Sequence, residues 1–258
     1  MRFRPVLAVA LLLAGAASSA FAACGDPDAI GVERTLAVDT TGGLEVGSMQ
    51  YPGKLALADN EVVLTFDDGP LPGATERVLD ALRDACTEAT FFIVGRMATA
   101  YPDVLRREDA EGHSLGTHTW SHPVSLSHLP YASAARQIDR GIVAVTAILG
   151  HPPAPFFRFP GLGDTRALRV KLAAADIAVF SADVVGSDWT GISSDQIRRN
   201  VLRGLREHHG GIVLLHDIKK ATARMLPELL KDMKAAGYRI VHIVPANVVA
   251  GEIPGTAS

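Results

Sequence analysis

Short hydrophobic runs alternate with amphipathic stretches along most of the chain. The runs are rich in β-branched and aromatic residues, which is typical of buried strands. They are EVVLTF, ATFFIV, SLGTH, PFFRF, IAVFSA, GIVLLH and RIVHI. The stretches between them have the hydrophobic spacing of helices. They are TERVLDALRDA, a helix starting near Pro102, a long helix over about Ser133 to Leu149, helices from Thr165 and Ser194, and one that ends at Ala236.

This alternation makes about seven strand-then-helix units, which predicts a parallel sheet covered by helices in a single α/β domain. Continuous apolar strands such as GIVLL fit a sheet that is buried on both faces. We predict a distorted (β/α)7 TIM-like barrel. An open doubly wound sheet is the alternative, because periodicity does not show whether the last strand meets the first.

Polar residues follow the predicted strands at the points where the strands end. They are Asp67 and Asp68 after EVVLTF, then His118, Arg158, Asp183, His216 and Asp217 after later strands. The carboxyl ends of barrel strands meet on one face, where active sites are built. We therefore expect these side chains to lie close together.

The first residues have the pattern of a secretory signal peptide over residues 1–22. Arg2 and Arg4 precede an apolar run that is too short for a membrane span, and the small-residue pattern AFA ends it. We predict cleavage after Ala22, which makes the mature protein secreted or periplasmic, without a transmembrane segment. Lipoprotein anchoring at Cys24 is the alternative.

The rest of the chain divides into a linker and entry segment over 23–60, which lacks a sustained period and is interpreted as a linker plus an entry strand, and a main domain over 61–250. Cleavage removes two of the 25 basic residues and none of the 28 acidic ones, so the mature net charge of −5 argues against nucleic-acid binding. Cys24 and Cys86 could pair in an oxidising compartment, or Cys86 could be a small core residue. We expect a monomer.

Two motifs contain the residues of a metal site. TFDDGP places Asp67 and Asp68 at the end of a buried strand, where the Gly-Pro pair favours a bend that lets both carboxylates line one site. HTWSH places His118 and His122 four residues apart, on one face of a helical turn. Each motif alone also fits an ordinary turn or a chance spacing.

Two neutral imidazoles and one carboxylate form the ligand set of a catalytic metal site with a position open for water. With Asp68 as the third ligand, Asp67 remains beside that water and suits a general base, because a zinc-type ion lowers the pKa of its water to about 7. His216 could donate a proton to a leaving amine. His113, five residues before His118, is interpreted as structural.

Three further residues fit roles around this centre. Arg158 in FFRFPG is a cation that could orient Asp67. Asp188 in SDW could hold His216 charged, and the neighbouring Trp189 could form an apolar wall. Taken singly, such residues are more often solvated surface groups or core aromatics.

The ordered set TFDDGP, HTWSH, RFPG, SDW and LLH resembles the NodB-homology polysaccharide deacetylases, which form carbohydrate esterase family 4. The resemblance covers about Asn60 to Ile243. It implies a metal-dependent hydrolase that releases acetate from N-acetylglucosamine-containing glycans such as peptidoglycan, chitooligosaccharides or an exopolysaccharide. The main domain would then be a NodB-homology deacetylase domain.

The resemblance also implies roles for individual residues. A divalent ion, zinc with cobalt, nickel or manganese as alternatives, would be held by Asp68, His118 and His122. The catalytic set would be Asp67 as base, His216 as acid, Arg158 and Asp188. Trp189 and Leu214 would line the acetyl pocket, and the backbone N–H after the arginine motif, at Gly161, would bind the oxyanion together with the metal.

Two positions depart from the family pattern. Gly161 stands where many members have tyrosine, and Val185 stands where the DxxDW pattern has its first aspartate. They put the packing of the sugar and the surroundings of His216 in question. Hydrolysis of O-acetyl esters or small amides, and glycan binding without catalysis, are the alternative functions.

Overall fold

The computed structural model of this chain describes Asp26 and residues 28–246. The predicted signal peptide and Cys24 lie outside the described residues. Within the described part, no helix is both long and apolar enough to cross a membrane. Cys86 follows the first helix and is disulfide-bonded, so it is not the reduced core residue of the alternative interpretation.

Strands and helices alternate along the described residues. The strands are β1 (Val32–Val38), β2 (Glu45–Val46), β3 (Glu61–Asp67), β4 (Thr90–Ile93), β5 (Ser114–Thr117), β6 (Phe156–Phe157), β7 (Ala178–Phe180), β8 (Val184–Val185), β9 (Gly210–His216) and β10 (Arg239–Pro245). The helices are α1 (Thr75–Asp84), α2 (Gly95–Ala100), α3 (Pro102–Ala110), α4 (Tyr131–Leu149), α5 (Arg166–Ala173), α6 (Ser194–His208) and α7 (Lys220–Ala235).

The central strands form a nearly complete ring of parallel pairs, in which only the chain connection joins β7 to β8 among the described residues. β3 pairs with β4, β4 with β5, β5 with β6, and β6 with β7. The chain continues from β7 into β8, which pairs with β9, and β9 pairs back with β3. The predicted α/β fold with a parallel sheet is confirmed, and the pairing of β9 with β3 fits the distorted barrel better than the open doubly wound sheet.

The ring is distorted by strands that join it from outside the regular alternation. β10 pairs with the first two residues of β3, β1 pairs with β10, and β2 pairs with β7. Both β1 and β2 come from the segment over 23–60. The segment thus contains two strands where one entry strand was predicted, and the burial of β1 alternates along VERTLAV with a two-residue period that we did not predict.

The same two-residue period separates the inside of the barrel from its helix-covered outside. In β3, Leu64 and Phe66 pack outward in a cluster with α1, α6 and α7. Val63 belongs to a separate cluster with side chains of the other strands. Thr65 and Asp67 have the same parity as Val63, so Asp67 points inward at the carboxyl end of its strand.

Candidate active site

A cleft of about 430 Å³ opens at the carboxyl ends of the barrel strands. Its wall combines predicted site residues with apolar side chains. The lining residues are Met49, Asp67, Asp68, His118, His122, Val124, Phe159, Gly161, Leu162, Val185, Trp189, Leu214, His216 and Lys219. The parallel barrel therefore brings together groups that are far apart in the sequence, as the strand-end pattern predicts.

Strand register brings Asp67 and His216 together. They are the last residues of β3 and β9, and their Cα atoms are partners in the parallel ladder. Leu214 lies two residues before His216, shares its direction and also lines the cleft. These three inward side chains follow directly from the alternation of the two strands.

Asp68 reaches the same cleft because the chain bends at this residue. Its φ of 83° lies in the left-handed region, which aspartate tolerates better than most residues. At Gly69 a Cβ atom would lie 2.0 Å from a carboxylate oxygen of Asp217, so glycine is required for this close approach. The bend thus begins one residue before the Gly-Pro pair, and both adjacent carboxylates face the cleft.

His118 is held with one ring nitrogen turned toward the carboxylates. Its Nδ1 lies 2.6 Å from the carbonyl oxygen of Arg158, which can only accept a hydrogen bond. Nδ1 therefore carries the proton, and Nε2, 3.7 Å from Asp68 Oδ1, keeps its lone pair. Burial lowers the pKa of His118, which favours the neutral form that a metal ligand requires.

His122 reaches the cleft through a loop, so the predicted helical turn is wrong. Thr119 and His122 have φ angles of 70° and 55°, outside the helical region. Gln137 of α4 holds the loop, because its backbone oxygen accepts the Trp120 N–H at 2.8 Å and its Oε1 accepts the next N–H at 3.0 Å. The rings of His118 and His122 still face each other, with centroids 4.8 Å apart.

Asp68, His118 and His122 form the candidate metal centre. Their ligand atoms all lie within 4.8 Å of one another. Asp68 Oδ1 lies 3.1 Å from His122 Nε2, yet this buried oxygen has no hydrogen-bond partner among the described residues. An unpaired buried carboxylate oxygen is costly, and a divalent cation would satisfy it. Two imidazoles and one carboxylate fit zinc and similar first-row ions.

Arg158 holds the second carboxylate, Asp67. The guanidinium is fully buried, and its Nη1 donates to Asp67 Oδ1 at 2.7 Å and to Thr65 Oγ1 at 2.8 Å. Its other nitrogens donate to two main-chain carbonyls at the end of β7, those of Phe180 at 3.3 Å and Ser181 at 2.9 Å. Burial opposes a charge on Asp67, but the charge and hydrogen bond of Arg158 and the charge of His216 lower the pKa of this carboxyl. Asp67 is therefore ionised.

His216 is paired with Asp188. The imidazole Nδ1 lies 2.7 Å from Asp188 Oδ1, while Asp188 Oδ2 accepts the backbone N–H of His216 at 2.8 Å and the hydroxyl of Thr222 at 2.5 Å. Burial opposes protonation, but the hydrogen bond and charge of Asp188 raise the pKa of His216. Its free Nε2 lies 4.0 Å from Asp68 Oδ2.

The remaining predicted residues form the cleft wall. Trp189 is 50% exposed and packs edge-on against the His216 ring, with centroids 5.7 Å apart. Leu214 is buried beneath the cleft, and Gly161 adopts a positive φ of 58° in a short 3₁₀ turn. Val185, one of the two departures from the family pattern, also lines the wall.

Two strand-end residues have different positions, and several wall residues were not predicted. Asp217 is fully buried outside the cleft lining and accepts the Gly69 N–H at 3.1 Å. Asp183 does not line the cleft; it accepts hydrogen bonds from the backbone and hydroxyl of Ser48 at 2.8 and 2.6 Å. The wall residues that sequence reasoning missed are Met49, Val124, Phe159, Leu162 and Lys219. Met49 and Val124 lie outside the strand-end motifs, whereas Lys219 lies three residues after His216 and could have been noticed there.

Comparisons with known proteins agree with this geometry. Residues 54–180 match the family model described as polysaccharide deacetylase. The peptidoglycan-N-acetylmuramic acid deacetylase PdaC of Bacillus subtilis is 33% identical over 184 residues, which cover 70% of this chain but 38% of that relative. This chain thus spans less than half the length of that curated relative.

A shorter relative is covered almost completely. The chitooligosaccharide deacetylase of Bradyrhizobium is 33% identical over 198 residues, which cover 71% of this chain and 89% of the relative. The solved structure of the Bdellovibrio bacteriovorus peptidoglycan deacetylase Bd3279 superposes with a TM-score of 0.76 at 30% identity, covering 84% of this chain and 60% of that one. The chain therefore belongs to the polysaccharide deacetylase family of NodB-homology proteins, carbohydrate esterase family 4.

Proposed function

We propose that this protein hydrolyses the acetamide of N-acetylglucosamine-containing glycans and releases acetate. The observation that supports this most strongly is the convergence of Asp68, His118 and His122 beside Asp67 and His216 in one cleft. The names of the relatives, a peptidoglycan deacetylase and a chitooligosaccharide deacetylase, support the same class of substrate.

Asp68, His118 and His122 would hold one divalent ion, for which we favour zinc. A cation there supplies Lewis-acid polarisation of the acetamide carbonyl and makes a water molecule more acidic. Zinc suits two neutral imidazoles and one carboxylate, and cobalt, nickel or manganese would fit the same donors. The buried, unpaired Oδ1 of Asp68 supports a cation at this position.

Asp67 is the general base in this proposal. Its lowered pKa keeps it ionised at neutral pH, and Arg158 holds Oδ1 while Oδ2 stays 3.8 Å from His118 Nε2, beside the candidate metal centre. Asp67 removes a proton from water as the water oxygen bonds to the carbonyl carbon. The backbone N–H of Gly161 supports the oxyanion that forms.

His216 is the general acid. Asp188 favours the imidazolium form and leaves Nε2 free to face the cleft. As the C–N bond breaks, the Nε2 proton passes to the amine nitrogen, so the products are acetate and a free glucosamine amine. Trp189 and Leu214 form apolar surfaces against which the acetyl methyl group packs.

Glycans of the cell wall lie outside the cytoplasm. A substrate of this kind therefore agrees with a secreted or periplasmic location and with cleavage of the predicted signal peptide. The site over Asp67 to His216 lies in one chain, so a monomer suffices for the chemistry.

Acetate release from a small panel of glycans tests the function. The panel contains N-acetylchitooligosaccharides, peptidoglycan and acetylxylan, assayed with a chelator and again after metal is added back. We expect release from the first two, its loss with chelator and its recovery with zinc. Release from acetylxylan alone would replace this proposal with an esterase, and glycan binding without release by metal-replete protein would contradict catalysis.

A further inference from the structure

Lys219 occupies a position next to the proposed acid that the chemistry above does not use. Its backbone N–H donates to the carbonyl of His216 at 3.2 Å, so a tight turn fixes it just before α7. Its half-buried side chain lines the same cleft as Asp68 and His122. A lysine at the start of a helix is electrostatically unfavourable, so helix stability does not explain this residue.

The ammonium group of Lys219 is uncompensated. Within the described part of the chain, no carboxylate pairs with it and no carbonyl accepts a hydrogen bond from it. The first turn of α7 contains no acidic residue. By contrast, the guanidinium of Arg158 beneath the cleft is saturated by Asp67 and by main-chain oxygens. Lys219 is thus available to an anionic ligand.

The rest of the wall cannot recognise charge. Apart from the metal and catalytic sets, the described lining residues other than Lys219 are apolar. Met49, Val124 and Trp189 are 51%, 70% and 50% exposed and offer surfaces for the faces of sugar rings. Such surfaces bind acidic and neutral sugars alike. Lys219 is therefore the lining group that can distinguish them.

We propose that Lys219 makes this cleft prefer acidic N-acetylated glycans by binding a carboxylate on a sugar next to the one that is deacetylated. This inference rests on the proposed function and narrows its substrate class. A carboxylate of this kind occurs in the lactyl ether of muramic acid and in uronic acids, and both share the charge and the two acceptor oxygens that an ammonium recognises.

Kinetics on three oligosaccharides test the preference. They are a peptide-free N-acetylglucosamine–muramic acid oligomer, an oligomer alternating N-acetylglucosamine with glucuronic acid, and neutral N-acetylchitotetraose. The preference is measured as kcat/KM on the better acidic glycan divided by kcat/KM on the neutral glycan. In Lys219→Met we expect this ratio to fall about 10-fold, because one charge-assisted hydrogen bond is lost. The loss should appear in KM, because the carboxylate is bound before and during reaction. Lys220→Met, at the exposed neighbouring residue, is the matched control and should keep the wild-type ratio.

A binding measurement separates this inference from the proposed function. Calorimetry with metal-replete Asp67→Asn protein, with and without Lys219→Met, should show about 10-fold weaker binding of the acidic oligomer when the lysine is absent. The acidic oligomer that responds identifies the source of the carboxylate. The inference would be overturned if Lys219→Met left both the acidic-to-neutral ratio of kcat/KM and the affinity for the acidic oligomer unchanged, even where the wild type releases acetate. A wild type that releases acetate from no glycan contradicts the proposed function, and the binding comparison still decides the role of Lys219.

Discussion

Strand β5 has a histidine at each end, and the two ends of the barrel use them differently. His113 precedes the strand at the amino end, where His242 lines the same surface depression. His242 is held by Glu88 at 2.5 Å and lies 3.0 Å from the hydroxyl of Ser114, so both of its ring nitrogens have protein partners. The Nδ1 of His113 accepts the Ala89 N–H at 3.3 Å, so its buried Nε2, which has no hydrogen-bond partner among the described residues, carries the proton. Neither imidazole at this end therefore offers a free lone pair to a metal.

At the carboxyl end, a similar set of residue types remains open. His118 uses one nitrogen for a backbone carbonyl and turns the other toward Asp68 and His122, while Asp68 keeps an unpaired buried oxygen. The difference teaches that histidine and carboxylate content does not define a metal site. What defines it is the convergence of lone pairs that no protein donor satisfies.

The first prediction compares separate replacements of the two histidines that flank β5. His118→Ala should lose stoichiometric metal and lower acetate release by more than about 100-fold, because even residues that only support a metal ligand are worth about 10- to 100-fold. His113→Gln should retain one bound metal and most of the activity. Metal content by mass spectrometry and acetate release measure both variants; loss of metal in His113→Gln alone would reverse the comparison.

The second prediction concerns the carboxylate that faces the cleft without joining the ligand set. Asp67→Asn should keep the metal but lower kcat by about 10²- to 10⁴-fold, the usual contribution of a general base. The amide also weakens the hold of Arg158, so circular dichroism serves as the check on folding. A near-normal rate would refute the assignment of Asp67 as base.

Much of this comparison was predictable from the sequence because it follows from strand geometry. The alternation of EVVLTF and GIVLLH predicts that Asp67 and His216 end parallel strands on one face of the barrel. The structure adds that these strands, β3 and β9, are neighbours and that the two residues are partners in their register. Family motifs add Asp188, whose contact with His216 no local spacing indicates. The way the strands curve back on one another required the structure, because it depends on β9 pairing with both β8 and β3.

The loop conformation at His122 and the pairing of the short strand β2 could not be predicted, because both depend on contacts between residues distant in the sequence. The spacing of His118 and His122 predicted a helical turn, but Gln137 of α4 imposes a loop with positive φ angles. Likewise, β2 pairs with β7 more than a hundred residues later, and only tertiary structure shows this. Local periodicity indicates which face a residue takes but not which element meets it.

The third prediction compares the two carboxylate–imidazole pairs. Asp188→Asn should lower kcat by about 10- to 100-fold, a part of what a general acid supplies. Since Asp188 raises the pKa of His216, its loss should also move the alkaline limb of the pH–rate profile to lower pH. Glu88→Gln at the other end should leave the profile unchanged and cost about 2 kcal/mol of stability. A shifted profile in Glu88→Gln would show that the two ends are coupled.

The last prediction concerns the pH dependence of stability at the amino end. Burial, with smaller contributions from the charges of His242 and Arg107, lowers the pKa of His113 to about 3. The ordinary value is about 6.5, so between these values the unfolded chain binds a proton that the folded protein excludes. Stability is therefore complete above about pH 6.5 and falls as the pH decreases. From pH 7.5 to pH 5, this one group should cost the wild type about 2 kcal/mol, which His113→Gln should not lose. Urea unfolding of both proteins in chelator measures the difference, and parallel pH curves would mean that His113 is protonated in the folded barrel.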